Sequence, residues 1–421
     1  MTIPLDNLYH YIDGLFPEPV CVYLFYPHGS RNILDLTGVK PFNRLGYNLD
    51  SGLFPLVVCN DQEPLNYEFY ENLEDEILNR CKERYKGSSS STTNFKAALA
   101  PFNIYDNMML LHSEKNSADL KLYQDNGYVD AYYWCHAFIA RDWYRFAEHD
   151  VRLISNTVPT KDFLIYCRDW SGSREYRIKF QELLYNKNLV KNSITSVMKK
   201  NSNGICLEHA VFKNKSFEPK NKKFFYNLLD NDILPSDSAN YCPDDFNNSY
   251  ISVVLETIFD GSKIHLTEKI LRPIACGHPF ILAAGPGSLE YLRSYGFKTF
   301  DPWIDESYDQ ETNSVCRLQK IVDAMHKFST LTTTDKGCVV DQLKKIADYN
   351  KRWFFSKDFT DLIDQELKTN IDIAFKKVKK SRAVGYRSRE KNHNIKHLHA
   401  DSRNIRAVYL NNLRKLNPPG R

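Results

Sequence analysis

Ile251-Ser252-Val253-Val254-Leu255-Glu256, Thr267-Glu268-Lys269-Ile270-Leu271 and Phe280-Ile281-Leu282-Ala283-Ala284-Gly285-Pro286-Gly287 follow one another in a single stretch of the chain. The first and third segments are short apolar runs that end at turn residues, the pattern of buried strands. Between them Thr267 is a good N-cap for an apolar helical run. Pro273 sits inside that run, so the helix is expected to be short or kinked. After Gly285-Pro286-Gly287, Ser288 caps a further helix that closes at Gly296. Strands alternating with helices predict a parallel sheet covered on both faces.

Upstream the pattern repeats. Phe163-Leu164-Ile165-Tyr166-Cys167 reads as a strand. A helix follows with Tyr176, Phe180, Leu183 and Leu184 on one face, the i, i+4, i+7, i+8 spacing of a buried stripe. Still earlier, the runs 20–25, 55–59, 108–111 and 131–134 read as strands, Tyr67–Tyr85 as a helix, and the Ser/Thr-rich stretch 87–93 as a surface loop. Downstream, Val339, Leu343, Ile346 and Trp353 mark one helix, and Phe359, Leu362, Ile363, Leu367 and Phe375 another. The expected fold class is α/β, with two Rossmann-like domains facing a central cleft. Residues 1–155 would form the first domain, 156–355 the second, and 356–421 a C-terminal helix with a basic tail.

Composition narrows the class. The chain has 421 residues, 42% of them apolar and 26% charged, which are globular proportions and exclude wholesale disorder. No run approaches the ~18 apolar residues of a membrane helix. The start, Met1-Thr2-Ile3-Pro4-Leu5-Asp6, lacks the basic and apolar segments of a signal peptide. None of the ten cysteines forms a Cys-x-x-Cys pair, so a reduced, cytoplasmic protein is expected. Residues 376–421 hold 14 Lys and Arg against two acids, a surplus of 12. The rest of the chain is then at −8 within an overall charge of +4. Such a tail, with Lys376, Lys377, Lys379, Lys380, Arg382, Arg387 and Arg389 at its head, suits a polyanion such as nucleic acid or an anionic surface. A solvated extension is the plainer alternative.

Four clusters carry candidate chemistry. At Thr267-Glu268-Lys269 a helix N-terminus offers free N–H groups to phosphate, Lys269 adds a full charge, and Glu268 can accept two ribose hydroxyls. An ordinary capped helix would look the same. In 167–177, Arg168, Arg174 and Arg177 surround a Ser-Gly-Ser turn between strand and helix, where open α/β sheets bind ligands. Arg168 or Arg174 would clamp a phosphate. The alternative is a solvated helix face with Glu175 paired to Lys179 and Arg177 beside Gln181. Glu63, with Asp61 as runner-up, follows a strand in the first domain and is placed to act as a general base, unless Asn60-Asp61-Gln62-Glu63-Pro64 is only turn chemistry. His112 and His136 each end a strand and are weaker acceptor-side candidates, since a His beside an apolar run is often structural. Asp230-Asn231-Asp232 has the letters of a metal-binding Asp-x-Asp but no preceding strand, so no metal site is expected. Gly-x-Gly-x-x-Gly, Walker and His-Glu-x-x-His motifs are absent.

Leu255-Glu256-Thr257, Leu266-Thr267-Glu268-Lys269-Ile270-Leu271 and Gly277-His278-Pro279-Phe280-Ile281-Leu282 together resemble the donor-binding segment of fucosyltransferase-like glycosyltransferases of the GT-B fold. The resemblance pairs Glu256 after a strand with Thr267, and implies ribose and phosphate contacts for Glu268 and Lys269. It also implies a phosphate-binding Arg after the first strand of the second domain, and Glu63-Pro64 resembles the Glu-containing acceptor motif. The ending 296–309 is similar to glycosyltransferase-like proteins of large bacteriophages. The motif match covers about 60 residues and the likeness elsewhere is patchy. Eleven residues separate Glu256 from Glu268, wider than the paired-Glu spacing of retaining relatives, which favours an inverting enzyme.

The expectation is therefore a metal-independent transferase that uses a nucleotide-diphosphate sugar as co-substrate and needs no cofactor. Its acceptor would be a hydroxylated base in phage DNA, with the host cytoplasm as its location. Two alternatives stand beside it: a cell-surface or lipid-linked glycan as acceptor, and a non-catalytic nucleic-acid-binding protein on a degenerate transferase scaffold.

Overall fold

The structure, a computed structural model, describes residues 3–17, 20–24, 56–65, 108–125, 127–154, 158–228 and 238–391. The helix read at Tyr67–Tyr85, the loop 87–93 and Asp230-Asn231-Asp232 lie outside the described residues.

Two four-stranded parallel sheets make up the α/β fold. The first contains β1 (Cys21–Leu24), β2 (Leu56–Cys59), β3 (Met108–His112) and β4 (Val129–Tyr132), side by side in chain order. The second contains β5 (Lys161–Ile165), β6 (Ser193–Thr195), β7 (Ser249–Leu255) and β8 (Phe280–Ala283), in the order β6-β5-β7-β8. Every pairing is parallel. In β7 and β8 almost every side chain is buried, because helices cover both faces. That is why these strands read as continuous apolar runs rather than alternations. Strands β4 and β5 each lie two residues earlier than the apolar runs 131–134 and 163–167 read from the sequence. Trp134 leaves the sheet and donates from Nε1 to the Leu266 carbonyl at 2.9 Å.

The described helices are α1 (Leu5–Gly14), α2 (Ala118–Asp125), α3 (Cys135–Trp143), α4 (Tyr176–Asn186), α5 (Pro243–Asn247), α6 (Glu268–Cys276), α7 (Ser288–Ser294), α8 (Ser314–Ser329), α9 (Thr333–Phe355) and α10 (Lys357–Lys391). Helix α6 is short, as the internal Pro273 led us to expect. It stops at Gly277, whose φ of 69° is cheap only for glycine. The Gly277 and His278 amides close on the Ile274 and Pro273 carbonyls at 3.1 and 2.9 Å, a Schellman ending. Glycine is also required at 296, where φ is 85° and a Cβ would stand 2.9 Å from the Trp353 ring.

The C-terminal helix returns to the first sheet. Asn370 Nδ2 donates to the Tyr132 carbonyl at 2.8 Å, and the Phe16 and Phe375 rings meet edge to face at 5.7 Å. The two sheets are joined by polar contacts. Lys115 and Ile264 form a reciprocal backbone bridge of 3.0 and 2.8 Å. Beside it the buried Lys263 ammonium reaches the Leu65 carbonyl at 2.6 Å, Asp119 at 2.7 Å and Glu114 at 3.1 Å. No described helix is long and apolar enough to cross a membrane.

Candidate functional site

Strand order in the second sheet reverses between β5 and β7: the chain leaves β5 toward β6 on one side and β7 toward β8 on the other. The loops beyond the strand ends diverge there and leave a crevice, where open α/β sheets take ligands. A cavity of about 350 Å³ lies at this place. Leu164, Tyr166 and Arg168 line it from β5 and its loop, Val253–Leu255 from β7, and Glu268, Lys269, Arg272 and Pro273 from α6. Its size is at the lower end of small-molecule sites, roughly 300–1,000 Å³.

The lining is cationic, with Arg168, Arg177, Lys269 and Arg272 against the carboxylates of Asp245 and Glu268. Arg168 is exposed, and its Nη1 lies 3.5 Å from Ser238 Oγ. Lys269 is half-buried, with its Nζ 3.0 Å from Glu268 Oε1 and 3.1 Å from Thr267 Oγ1. Arg272 stacks over the Tyr166 ring, 4.4 Å from its centroid, and Tyr166 in turn donates to Asp245 at 2.7 Å.

The alternative of a solvated helix face does not hold at Arg177. Arg177 is buried at 3% exposure and donates to the carbonyls of Asp169, Leu255 and Glu256 at 2.5, 2.6 and 3.0 Å. These carbonyls orient the guanidinium without neutralising it, so its charge bears on the cavity. The expected Glu175–Lys179 pair does not form. Glu175 instead accepts from the Lys213 and Asn214 amides at 2.8 and 2.9 Å, while Lys179 pairs with Glu182. Arg174, proposed as a phosphate clamp, is not among the lining residues; its Nη1 turns to Asp169 at 3.4 Å.

Glu256 and Thr267 also take a different place from the one inferred. Both are buried and face each other: the Thr267 amide and hydroxyl give Glu256 hydrogen bonds of 3.0 and 2.7 Å. Thr267 Oγ1 also accepts from the Lys269 amide at 3.3 Å, which is the predicted N-cap. These two residues build the loop that presents Glu268 and Lys269, and neither lines the cavity. Burial would push the Glu268 carboxyl up, but Lys269 and His136 outweigh it and hold it well below the usual range.

His136 connects the two sheets. Its Nε2 lies 3.0 Å from the Gln62 carbonyl, in the loop after β2, and its Nδ1 lies 3.0 Å from Glu268 Oε2. His265, which the sequence did not single out, packs edge to face on it at 5.2 Å. Burial, then His136, pushes His265 down to about 3, so it is neutral, and its Nε2 has no hydrogen-bond partner among the described residues. Glu63 is half-buried within electrostatic reach of His265. Asp61 is fully enclosed, bonded by Tyr9 at 3.0 Å and by Tyr133, and burial raises its carboxyl. It anchors the β2 loop and faces no open space. His112 is likewise spent on Asp130 at 3.2 Å and on the Glu114 amide at 3.3 Å.

Lys376, Lys377 and Lys379 are exposed on α10, and Lys376 pairs with Asp372 at 2.6 Å. Lys380, Arg382, Arg387 and Arg389 continue the same helix. Lys376, Lys377 and Lys379 do not line the cavity. Among the described residues no group of three or more His, Cys, Asp or Glu could hold a metal ion. No protein-family model, curated protein or solved structure matches the chain.

Thr267→Val keeps the shape of the side chain but removes the cap and leaves Glu256 Oε2 with only the Thr257 amide at 3.3 Å. It should lower the unfolding free energy by roughly 2–3 kcal/mol in urea titration. An unchanged midpoint would show that this loop is held by something else.

Proposed function

We propose that the chain is an inverting, metal-independent glycosyltransferase of GT-B type, with the second sheet seating a nucleotide-diphosphate sugar and the first sheet the acceptor. The observation that carries this reading is the gathering of Arg168, Arg177, Lys269 and Arg272 around one cavity at the strand-order reversal. They come from three separate elements, and a diphosphate is the ligand whose charge and size suit them. Motif resemblance at Thr267-Glu268-Lys269 adds the sugar nucleotide.

In this reading the acceptor hydroxyl oxygen attacks the anomeric carbon while the bond from that carbon to the diphosphate breaks. Glu63 takes the hydroxyl proton. Negative charge grows on the leaving diphosphate, and the cations at the cavity stabilise it more in the transition state than in the ground state. Each close ion pair supplies roughly 4 kcal/mol at an effective dielectric near 20, before desolvation. Arg177 takes the part first given to Arg174. Glu268, held ionised, is suited to accept from ribose hydroxyls.

For the acceptor, a hydroxylated base in DNA remains our reading. The exposed Lys376, Lys377 and Lys379 stand on a helix that packs against the first sheet, the acceptor half of this scheme.

A panel of nucleoside diphosphates and their sugar conjugates should raise the melting temperature, and one nucleotide should stand out. Lys269→Ala and Arg168→Ala should each lower sugar-transfer turnover by about 10²–10³-fold while the protein stays folded. Wild-type turnover in both would refute the assignment. Replacing Lys376, Lys377 and Lys379 together by Gln should reduce the log–log salt slope of DNA affinity by about 2.7. An unchanged slope would turn attention to a glycan acceptor.

A further inference from the structure

Three contacts of equal length run in series from the first sheet to the cavity. The Gln62 carbonyl meets His136 Nε2 at 3.0 Å, His136 Nδ1 meets Glu268 Oε2 at 3.0 Å, and Glu268 Oε1 meets Lys269 Nζ at 3.0 Å. Gln62 adjoins Glu63, and Lys269 lines the cavity. His136 has 5% exposure and Glu268 7%, so water does little to screen this chain. Both ring nitrogens of His136 face oxygen atoms, Nε2 the Gln62 carbonyl and Nδ1 the Glu268 carboxylate.

We infer that His136 is a positioning residue that couples occupancy of the anion cavity to the loop 60–65. The inference rests on the anion-seat reading above and extends it to the order in which the two sides of the cleft become ready. The physical cause is competition for one ammonium. With the cavity empty, Lys269 and His136 share the Glu268 carboxylate, one at each oxygen. An anion in the cavity draws on Lys269, and the Glu268 charge then falls more fully on His136. The His136 ring is held harder, and with it the Gln62 carbonyl at its other nitrogen. Linkage makes the effect reciprocal: whatever steadies the loop favours the anion. Helix α3 carries His136 and packs against α6 and α1, so the signal crosses without movement of either sheet.

Two side chains break the series at different points. His136→Phe keeps a ring of similar size and cuts both contacts. Glu268→Gln keeps the shape and removes the shared charge. Glu268→Gln also removes a carboxylate that competes with the ligand for Lys269, so it should bind a small polyanion at least as tightly as the wild type. A purely structural role for Glu268 would not produce tighter binding.

The test uses inorganic pyrophosphate with the full chain, reading affinity by calorimetry and backbone amide hydrogen exchange across 60–65. In the wild type, pyrophosphate should bind and slow exchange in that loop by about fivefold. In His136→Phe and Glu268→Gln it should still bind and leave exchange in 60–65 unchanged. Loop protection that persists in both variants, or that is missing from the wild type although pyrophosphate binds, would overturn the coupling and leave the anion seat standing. Failure of the wild type to bind pyrophosphate at all would overturn both.

Discussion

Glu256 directly follows β7 with its side chain fully shielded from water, and the site is organised around it. Its carboxylate holds Thr267 by main chain and side chain and so closes the loop that leads into α6. Its own carbonyl receives Arg177 at 3.0 Å and the Tyr176 hydroxyl at 2.7 Å. One residue thereby fixes two cationic elements, the start of α4 and the start of α6, at neighbouring places on the same sheet edge. A buried carboxylate is costly unless its lone pairs are used, and here polar hydrogens from Thr267 and Thr257 use them. Such a charge cannot lose its partner cheaply, which is what makes it a firm anchor for the cations around the cavity.

The sheets themselves were largely readable from the residues. Parallel strands buried on both faces leave apolar runs; 251–255 and 280–284 fall on β7 and β8, and 163–167 lies two residues beyond β5. The Thr267 cap was readable because capping is local chemistry. Arg177 was legible as one of three arginines around the Ser-Gly-Ser turn, but its burial was not, because only folding brings the ends of β5 and β7 close enough to offer it three carbonyls. Arg174 failed for the converse reason: the Ser-Gly-Ser turn bends back and gives it Asp169 as a local partner. The segment supplying Ser238, Asn240 and Tyr241 to the cavity has no periodic signal, and His265 has no motif around it. The return of α10 to the first sheet was equally invisible, since a basic amphipathic helix at the end of a chain reads as an appendage.

The join between the sheets has a different character from their interiors. Lys263 with Glu114 and Asp119, His136 with Glu268, and the Lys115–Ile264 bridge are polar and directional. Buried ion pairs add little net stability compared with apolar packing, but they fix register, because breaking one leaves a stranded charge. These ionic contacts therefore hold the two sheets in a defined relation, while the cavity lies against the second sheet. The same chemistry lets a guest anion be felt across the join, since the guest and the join share Glu268 and Lys269.

The account is tested most directly by a crystal structure of the chain with a nucleoside diphosphate. It predicts density for the diphosphate between Arg168 and Lys269, over the Arg177 guanidinium, with Glu268 near the ribose. Clear density for the nucleotide anywhere else, or an unoccupied cavity in a crystal soaked at saturating nucleotide, would contradict it.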